Sequence, residues 1–118
     1  KSVLEHITAM SGGDYKLEII PDLPNLENDE KMAEFVRQVC SNQMGENNVI
    51  FSETPTMGSE DFAYYLQEKP GAFFWLGCGN REKGINKPLH HPEFDMDEDA
   101  LGIGSRLHVA IALEYLQL

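Results

Sequence analysis

The stretch "AFFWLGCG", residues 72–79, carries the strongest indication of the fold. Its apolar side chains run almost continuously instead of alternating with polar ones. This pattern is typical of a strand covered on both faces, because a strand with one wet face places a polar residue at every second position. We therefore predict a central strand here, with helices on either face and with Phe73, Phe74 and Trp75 in the core.

The segment "NDEKMAEFVRQVCSNQMG", residues 28–45, predicts an amphipathic helix. Asn28 or Asp29 is suited to cap its N-terminus, and Gly45 is suited to end it. An apolar stripe recurs at helical spacing, formed by Met32, Phe35, Val36, Val39 and Cys40. We expect this stripe to be buried against a neighbouring element.

Three further elements complete this part of the chain. Residues 48–53, "NVIFSE", predict a short strand beside the central one, and residues 59–69, "SEDFAYYLQEK", predict a helix capped by Ser59. Residues 97–118, "DEDALGIGSRLHVAIALEYLQL", predict the last helix, with Asp95 or Asp97 as its cap. It is apolar on most of its circumference from Leu107 to Leu113, so we expect it to be largely buried. Helices and strands thus alternate after residue 28, which predicts an α/β layer with a parallel or mixed sheet.

The first residues form a separate pattern. Residues 1–10 have apolar side chains at helical spacing, and residues 15–20, "YKLEII", alternate as a strand with one wet face does. The connector "PDLPNLEND", residues 21–29, contains two prolines. We place a candidate domain boundary in this connector and expect the first 20 or so residues not to join the main sheet.

Composition limits the class of protein. The chain has 118 residues, 42% of them hydrophobic, which is enough for one modest globular domain. Its net charge of −11 argues against nucleic acid or an anionic membrane as a partner, because both require clustered Lys and Arg. Cys40 and Cys78 are isolated thiols, which fits a reducing compartment and hence the cytoplasm. No apolar run is long enough to span a membrane.

The stretch "NKPLHHPEFDMDEDAL", residues 86–101, contains adjacent histidines in a predicted loop. Imidazole is the commonest transition-metal ligand, and loops at strand ends carry the chemistry of open α/β sheets. A metal site is therefore one hypothesis for His90, which we expect to be accessible. The alternative is a polar loop that caps the last helix. We expect His108, in that helix, to pack against other side chains.

Residues 57–62, "MGSEDF", form a second candidate site. Backbone N–H groups near Gly58 and Ser59 would suit an anion such as a substrate carboxylate. Two acids in the same turn favour the alternative, a plain helix start. Basic residues in the loop after the central strand suit either an anionic substrate group or a solvated surface; they are Arg81, Lys83 and Lys87.

Together, "MGSEDFAYYLQEKPGAFFWLGCGN" and "PLHHPEFDMDEDALGIGSRLHVAIALEYL" resemble the C-terminal end of the metal-dependent amidohydrolases. This family includes hippurate hydrolase, N-acyl-L-amino-acid amidohydrolases and the auxin-conjugate hydrolases. The resemblance extends from about residue 1 to the end of the chain. It is most specific in the SEDF and LH-x-P-x-F segments, whose order and spacing both fit.

The resemblance implies an α/β fold of two parts. Residues 1–22 would be the last helix and strand of an inserted lid domain, through which the subunits form a homodimer. Residues 23–118 would be the C-terminal portion of a three-layer, zinc-exopeptidase-like catalytic domain. The proline-rich connector falls where the chain would cross back from the lid.

The resemblance also implies a site. The first histidine of LH-x-P-x-F, here His90, would be a metal ligand, whereas His91 occupies a variable position. Gly58 and Ser59 would contact the substrate, a small N-acyl amino acid of the hippurate or N-acetyl type. An intact relative would hold two divalent ions, zinc or manganese.

The 118 residues lack the family's upstream Cys/Asp-Gly-His-Asp-x-His pattern and its Glu-Glu pair, which includes the general base. We therefore expect no catalytic residue in this segment, and we expect it to be an inactive fragment that requires the upstream half of the same polypeptide. The alternative is a non-catalytic, stand-alone α/β domain that acts through protein contacts.

Overall fold

The computed structural model describes residues 1–52 and 54–117. Within them, the chain forms four α-helices and a short 3-10 helix, Glu46–Asn48. The α-helices are α1 (Ser2–Ser11), α2 (Glu30–Met44), α3 (Ala63–Glu68) and α4 (Asp99–Leu116). The described residues contain no β-strand, although one antiparallel bridge joins Asn80 and Ile85.

Helix α2 forms as its sequence predicts. Asp29 is the N-cap, and its carboxylate accepts a hydrogen bond from the Met32 N–H at 2.9 Å. The helix ends at Gly45, whose φ of 85° favours glycine. Val36, Val39 and Cys40 on its apolar stripe are buried.

The core lies between α2 and α4. Val36 and Cys40 of α2 meet Leu107 of α4, which is 2% exposed. Half-buried side chains surround them: Phe35, Met44, Val49, Ala72, Phe74, Leu76, Ile103 and Ile111. Burial in this core raises the pKa of the Cys40 thiol, which keeps it protonated and unreactive at neutral pH.

Residues 72–77 have the side-chain alternation of a strand without a neighbouring strand. Phe74 and Leu76 pack on the core, whereas Phe73 and Trp75 contact each other on the opposite side, with ring centroids 5.4 Å apart. Side chains two residues apart share a face in extended backbone. The helices α2 and α4 thus cover one face of this segment.

The prediction that both faces of residues 72–77 are buried is wrong for this structure, since Trp75 is 66% exposed. No strand pairs with this segment among residues 1–52 and 54–117, and the Asn28 side chain bonds to both backbone groups of Phe73. Its amide nitrogen donates to the Phe73 carbonyl at 2.8 Å, and its oxygen accepts from the Phe73 N–H at 2.7 Å. An amide side chain here satisfies what a second strand would satisfy in a ladder.

The other two predicted strands are likewise not formed in the described residues. Residues 15–20 have no strand partner there. The predicted strand at 48–53 begins inside the 3-10 helix at Asn48, and its last residue, Glu53, lies outside the described residues. An isolated strand is marginal without neighbours to complete its hydrogen bonds, so an apolar pattern alone does not create one.

Two helix predictions need correction. Helix α3 begins at Ala63, four residues after Ser59, and no side chain caps it, so Ser59 is not its cap. Helix α4 is not largely buried: Ala100 and Leu107 are its buried residues. Exposed apolar side chains lie along it, namely Leu101, Val109, Leu113, Tyr115 and Leu116. Helix α4 packs against α2 and against the side chains of Phe74 and Leu76, and its exposed apolar side chains lie outside that contact.

The chain is extended for its size. Its radius of gyration is 20.8 Å, compared with about 13–14 Å for a compact domain of this length. Its accessible surface is 10,383 Å², compared with about 6,500 Å² for a compact protein of 13.3 kDa. Helix α1 has no buried residue. None of the helices in the described ranges has the length and apolar character needed to cross a membrane.

Candidate functional site

His90 lies at the third position of a tight turn. The His91 N–H donates to the Pro88 carbonyl at 3.1 Å, which closes the turn over Leu89 and His90. His90 has a φ of 67°, in the left-handed region that glycine favours. A positive φ at this position is the feature of a type II turn, where a non-glycine residue is strained. The His90 side chain is exposed, as predicted.

His91 has a different environment from its neighbour. It is half-buried, and its Nδ1 accepts a hydrogen bond from the Glu93 N–H at 3.0 Å. Its carbonyl accepts from the Phe94 N–H at 2.9 Å. His91 thus stabilises the loop through local hydrogen bonds, whereas the ring of His90 is exposed to solvent. The structure therefore distinguishes two residues that the sequence places side by side.

An ion-pair network lies between the loop and α4. The Lys83 ammonium donates to Asp97 at 2.7 Å and to Asp99 at 3.2 Å, and the Asn80 amide donates to the other Asp97 oxygen at 2.6 Å. The hydrogen bonds from Lys83 and then Asn80 lower the pKa of Asp97 below its usual value. The hydrogen bonds to Asp97 and then to Asp99 raise the pKa of Lys83 above its usual value.

The sequence does not predict this network; it suggests Lys83 either for an anionic substrate group or for a solvated surface. The sequence predicts Asp95 or Asp97 as the cap of α4, but the residue at the N-cap position is Glu98 and no side chain makes a capping hydrogen bond there; the Asp97 carboxylate accepts from the Asp99 N–H at 3.4 Å. Spacing along the chain does not reveal the network, since Lys83 and Asp97 are 14 residues apart. Lys87 is also paired, with Glu93 at 3.5 Å.

Gly58 and Ser59 lie in an exposed segment before α3. A Cβ added at Gly58 would meet nothing within 4 Å, so close packing does not require glycine at this position. Glu60 organises the turn that follows, since its carboxylate accepts from the Phe62 N–H at 3.2 Å. No hydrogen bond in the described part of the chain links this segment to the His90 loop.

Aromatic side chains collect on the open face of residues 72–77. Phe62, from the turn before α3, lies 5.8 Å from Phe73 and 5.6 Å from Tyr65 between ring centroids. On the core side, the ring of His108 lies 5.8 Å from that of Phe74. His108 thus contacts an aromatic side chain, as predicted, although it remains exposed.

The donors of a complete metal site are not brought together in the chain from residue 1 to 52 and from 54 to 117. No three His, Cys, Asp or Glu side chains there form a group that could hold a metal ion. An exposed imidazole on a fixed turn fits one coordination position, but a catalytic zinc requires about three protein ligands. His90 fits as a single ligand, and the described residues do not supply the others.

Comparison with known proteins gives the family. The sequence profile described as Peptidase family M20/M25/M40 matches residues 2–114. The chain is 34% identical to an IAA-amino acid hydrolase of Arabidopsis thaliana over 103 residues, which cover 87% of this chain and 23% of that protein. It is 32% identical to a probable hydrolase of Synechocystis sp. over 88% of this chain and 26% of that protein.

A third relative, N-acetylcysteine deacetylase of Bacillus subtilis, is 31% identical over 99% of this chain and 29% of its own length. The chain thus spans about a quarter of the length of the curated relatives it matches. The profile match covers nearly all of the chain and includes the SEDF and LH-x-P-x-F segments. The chain therefore belongs to peptidase family M20/M25/M40.

Proposed function

We propose that this chain is the C-terminal part of a metal-dependent amidohydrolase that cleaves the amide bond of N-acyl amino acids. The family's enzymes are generally metal-dependent. The relatives named for their substrates act on an IAA-amino acid and on N-acetylcysteine. Both names describe an amino acid that carries an acyl group, which is the substrate class proposed for this chain.

The observation that carries the proposal is the backbone of His90. A residue with a side chain pays about 1–2 kcal/mol to adopt the left-handed conformation, and glycine avoids that cost. His90 adopts it at a φ of 67° on an exposed turn, where packing gives no reason for an imidazole. Strain at an exposed position is typical of functional sites. In our proposal, His90 is a metal ligand and His91 is not.

The rest of the site follows the same proposal. The intact enzyme would hold two divalent ions, zinc or manganese. These ions would activate a water molecule and polarise the scissile carbonyl. His90 would hold one of them, and Gly58 and Ser59 would contact the substrate. The remaining ligands and the general base would come from another part of a longer polypeptide, as would the strands that complete a three-layer sheet around residues 72–77.

The surface of the chain supports such a larger assembly. It exceeds that of a compact protein of the same mass by about 3,900 Å², an area within the range of obligate interfaces. In this proposal residues 1–22 belong to a lid that mediates a homodimer in the cytoplasm, and residues 23–118 belong to the catalytic domain.

The test compares the chain with the longest open reading frame that contains it. Both proteins are assayed on hippurate and N-acetylmethionine with added manganese or zinc. We expect turnover from the longer protein, its loss in His90→Ala and its retention in the matched variant His91→Ala. The 118-residue chain should show no useful turnover and only weak metal binding. Micromolar binding of two metal ions by the chain alone would show that the site is complete without another segment.

A further inference from the structure

The loop that carries His90, residues 86–96, makes only internal hydrogen bonds and ion pairs in the described structure. The Pro88–His91 and His91–Phe94 backbone bonds are local. The Lys87–Glu93 ion pair also joins two residues of the loop. These contacts shape the loop but leave its position relative to α4 to be fixed at its two ends.

The loop begins at a closed hairpin. Asn80 and Ile85 exchange two backbone hydrogen bonds, both of 2.8 Å. The Asn80 side-chain oxygen accepts from the N–H groups of Glu82 and Lys83 at 3.1 and 3.2 Å. The hairpin therefore holds the chain directly before residue 86 in one conformation.

The loop ends at Asp97, which is fixed by its backbone. Its N–H donates to the Cys78 carbonyl at 2.8 Å, and its carbonyl accepts from the Ala100 N–H at 2.9 Å. Asp97 thus lies between the end of the extended segment and the start of α4. These two bonds hold the chain directly after residue 96.

The Asp97 side chain joins the two ends. One carboxylate oxygen accepts from the Asn80 amide at 2.6 Å and the other from the Lys83 ammonium at 2.7 Å. The Asp97 side chain is 14% exposed, so water competes less for these bonds than for those of a free surface pair. Charge-assisted bonds of this length are among the stronger hydrogen bonds in proteins.

We propose that Asp97 is a positioning residue, which holds the loop of residues 86–96 in a single orientation on the 80–85 hairpin and thereby aims His90. The reason for aiming His90 rests on its proposed function as a metal ligand. The order of the loop itself is measured without metal. Asp97 touches neither metal nor substrate in this arrangement and acts through the loop.

The experiment measures backbone ¹⁵N relaxation of the 118-residue chain and of Asp97→Asn and Lys83→Met, each carrying Val109→Glu to reduce association through the exposed apolar side chains of α4. We expect the order parameters of the loop amides to fall from about 0.85 to below about 0.6 in both variants. Lys83→Met removes the Lys83 bonds to Asp97 and Asp99 and leaves in place the Asp97 carboxylate, which accepts from the Asp99 N–H. Asp95→Asn is the matched control, since its carboxylate accepts a hydrogen bond from its neighbour, Met96, within the loop.

Unchanged order parameters in the loop would overturn the proposal. Loosening limited to the first turn of α4 would also overturn it, because that result is expected if Asp97 only caps the helix. Zinc titration followed at the His90 ring separates the two proposals. If zinc fails to perturb His90 while Asp97→Asn loosens the loop, the metal role of His90 fails and the positioning role of Asp97 stands.

Discussion

His90 and Gln117 are the two non-glycine residues with positive φ in the described ranges. Gln117 follows the last turn of α4, where a left-handed residue commonly ends a helix. His90 has no such role, and its turn would form at lower cost with glycine. At the scale of the residue, local strain therefore separates a functional candidate from a structural one.

We predict that His90→Gly raises the free energy of unfolding by between zero and about 1 kcal/mol, because glycine tolerates the left-handed backbone. His91→Gly, the matched control, should destabilise the loop, since it removes the acceptor for the Glu93 N–H. Urea denaturation measures both variants. Clear destabilisation by His90→Gly would show that the imidazole supports the fold instead of costing strain.

The Asp97–Lys83 pair should contribute a constant stability between about pH 4 and pH 10. The pKa of Asp97 is lowered, so its contribution is present above the usual carboxyl pKa and is lost as pH falls through the folded value. The pKa of Lys83 is raised, so its contribution is complete below the usual lysine pKa and is lost at higher pH.

Titration of the Asp97 carboxyl carbon by NMR checks this expectation. The pKa of Asp97 should lie below its usual value and should return toward that value in Lys83→Met. An unaltered pKa in that variant would show that Lys83 does not hold the carboxylate in solution.

At the scale of the element, the contact between α4 and residues 72–77 depends on Gly104. A Cβ built there would lie 3.0 Å from Leu76 Cδ2, whereas a Cβ at Gly102 would meet nothing within 4 Å. Both glycines lie in the interior of α4, where alanine is favoured over glycine by about 1 kcal/mol. A comparison of alanine substitutions at Gly102 and Gly104 therefore separates the effect of packing on stability from the effect of helix propensity.

We predict that Gly102→Ala stabilises the chain by up to about 1 kcal/mol and that Gly104→Ala stabilises it less or destabilises it. Denaturant unfolding of the two variants provides the comparison. Equal gains at both positions would mean that Leu76 moves aside freely and that the helix does not pack closely on the extended segment.

The pairing of Asn28 with Phe73 belongs to the same scale. Asn28→Ala removes two hydrogen bonds to one peptide segment, so we expect a loss of about 1–2 kcal/mol and faster exchange of the Phe73 amide. Asn25→Ala, on the same connector, is the control. Exchange of the Phe73 amide at an unchanged rate in Asn28→Ala would contradict the pairing.

At the scale of the whole molecule, the exposed apolar side chains predict association. Val109 and Leu113 of α4 are 58% and 46% exposed, on a protein whose surface is far larger than its mass requires. We expect the isolated chain to self-associate at micromolar concentrations in sedimentation velocity experiments. Val109→Glu should reduce the association more than Ser105→Glu, which adds the same charge at a polar position of the helix. A monomer at all concentrations would show that this surface is stable in water.

The sequence by itself determined the local features. It predicted α2 with a cap at Asn28 or Asp29, of which Asp29 is the cap, and with its Gly45 end and its apolar stripe, because caps and helical periodicity act within a few residues. It predicted the exposure of His90. It also identified the family, since the SEDF and LH-x-P-x-F segments are specific in their order and spacing.

Tertiary structure alone decided the rest. A strand requires a partner that the pattern of residues 72–77 cannot supply, and burial of α4 depends on how many neighbours pack against it. The Asn80–Lys83–Asp97 network joins residues that are 14 and 17 positions apart, so no local pattern reveals it. The left-handed turn at His90 is likewise a property of the closed loop. Capping and periodicity within a few residues determine the helices of this chain, whereas strand pairing and the burial of apolar side chains depend on which other surfaces are present.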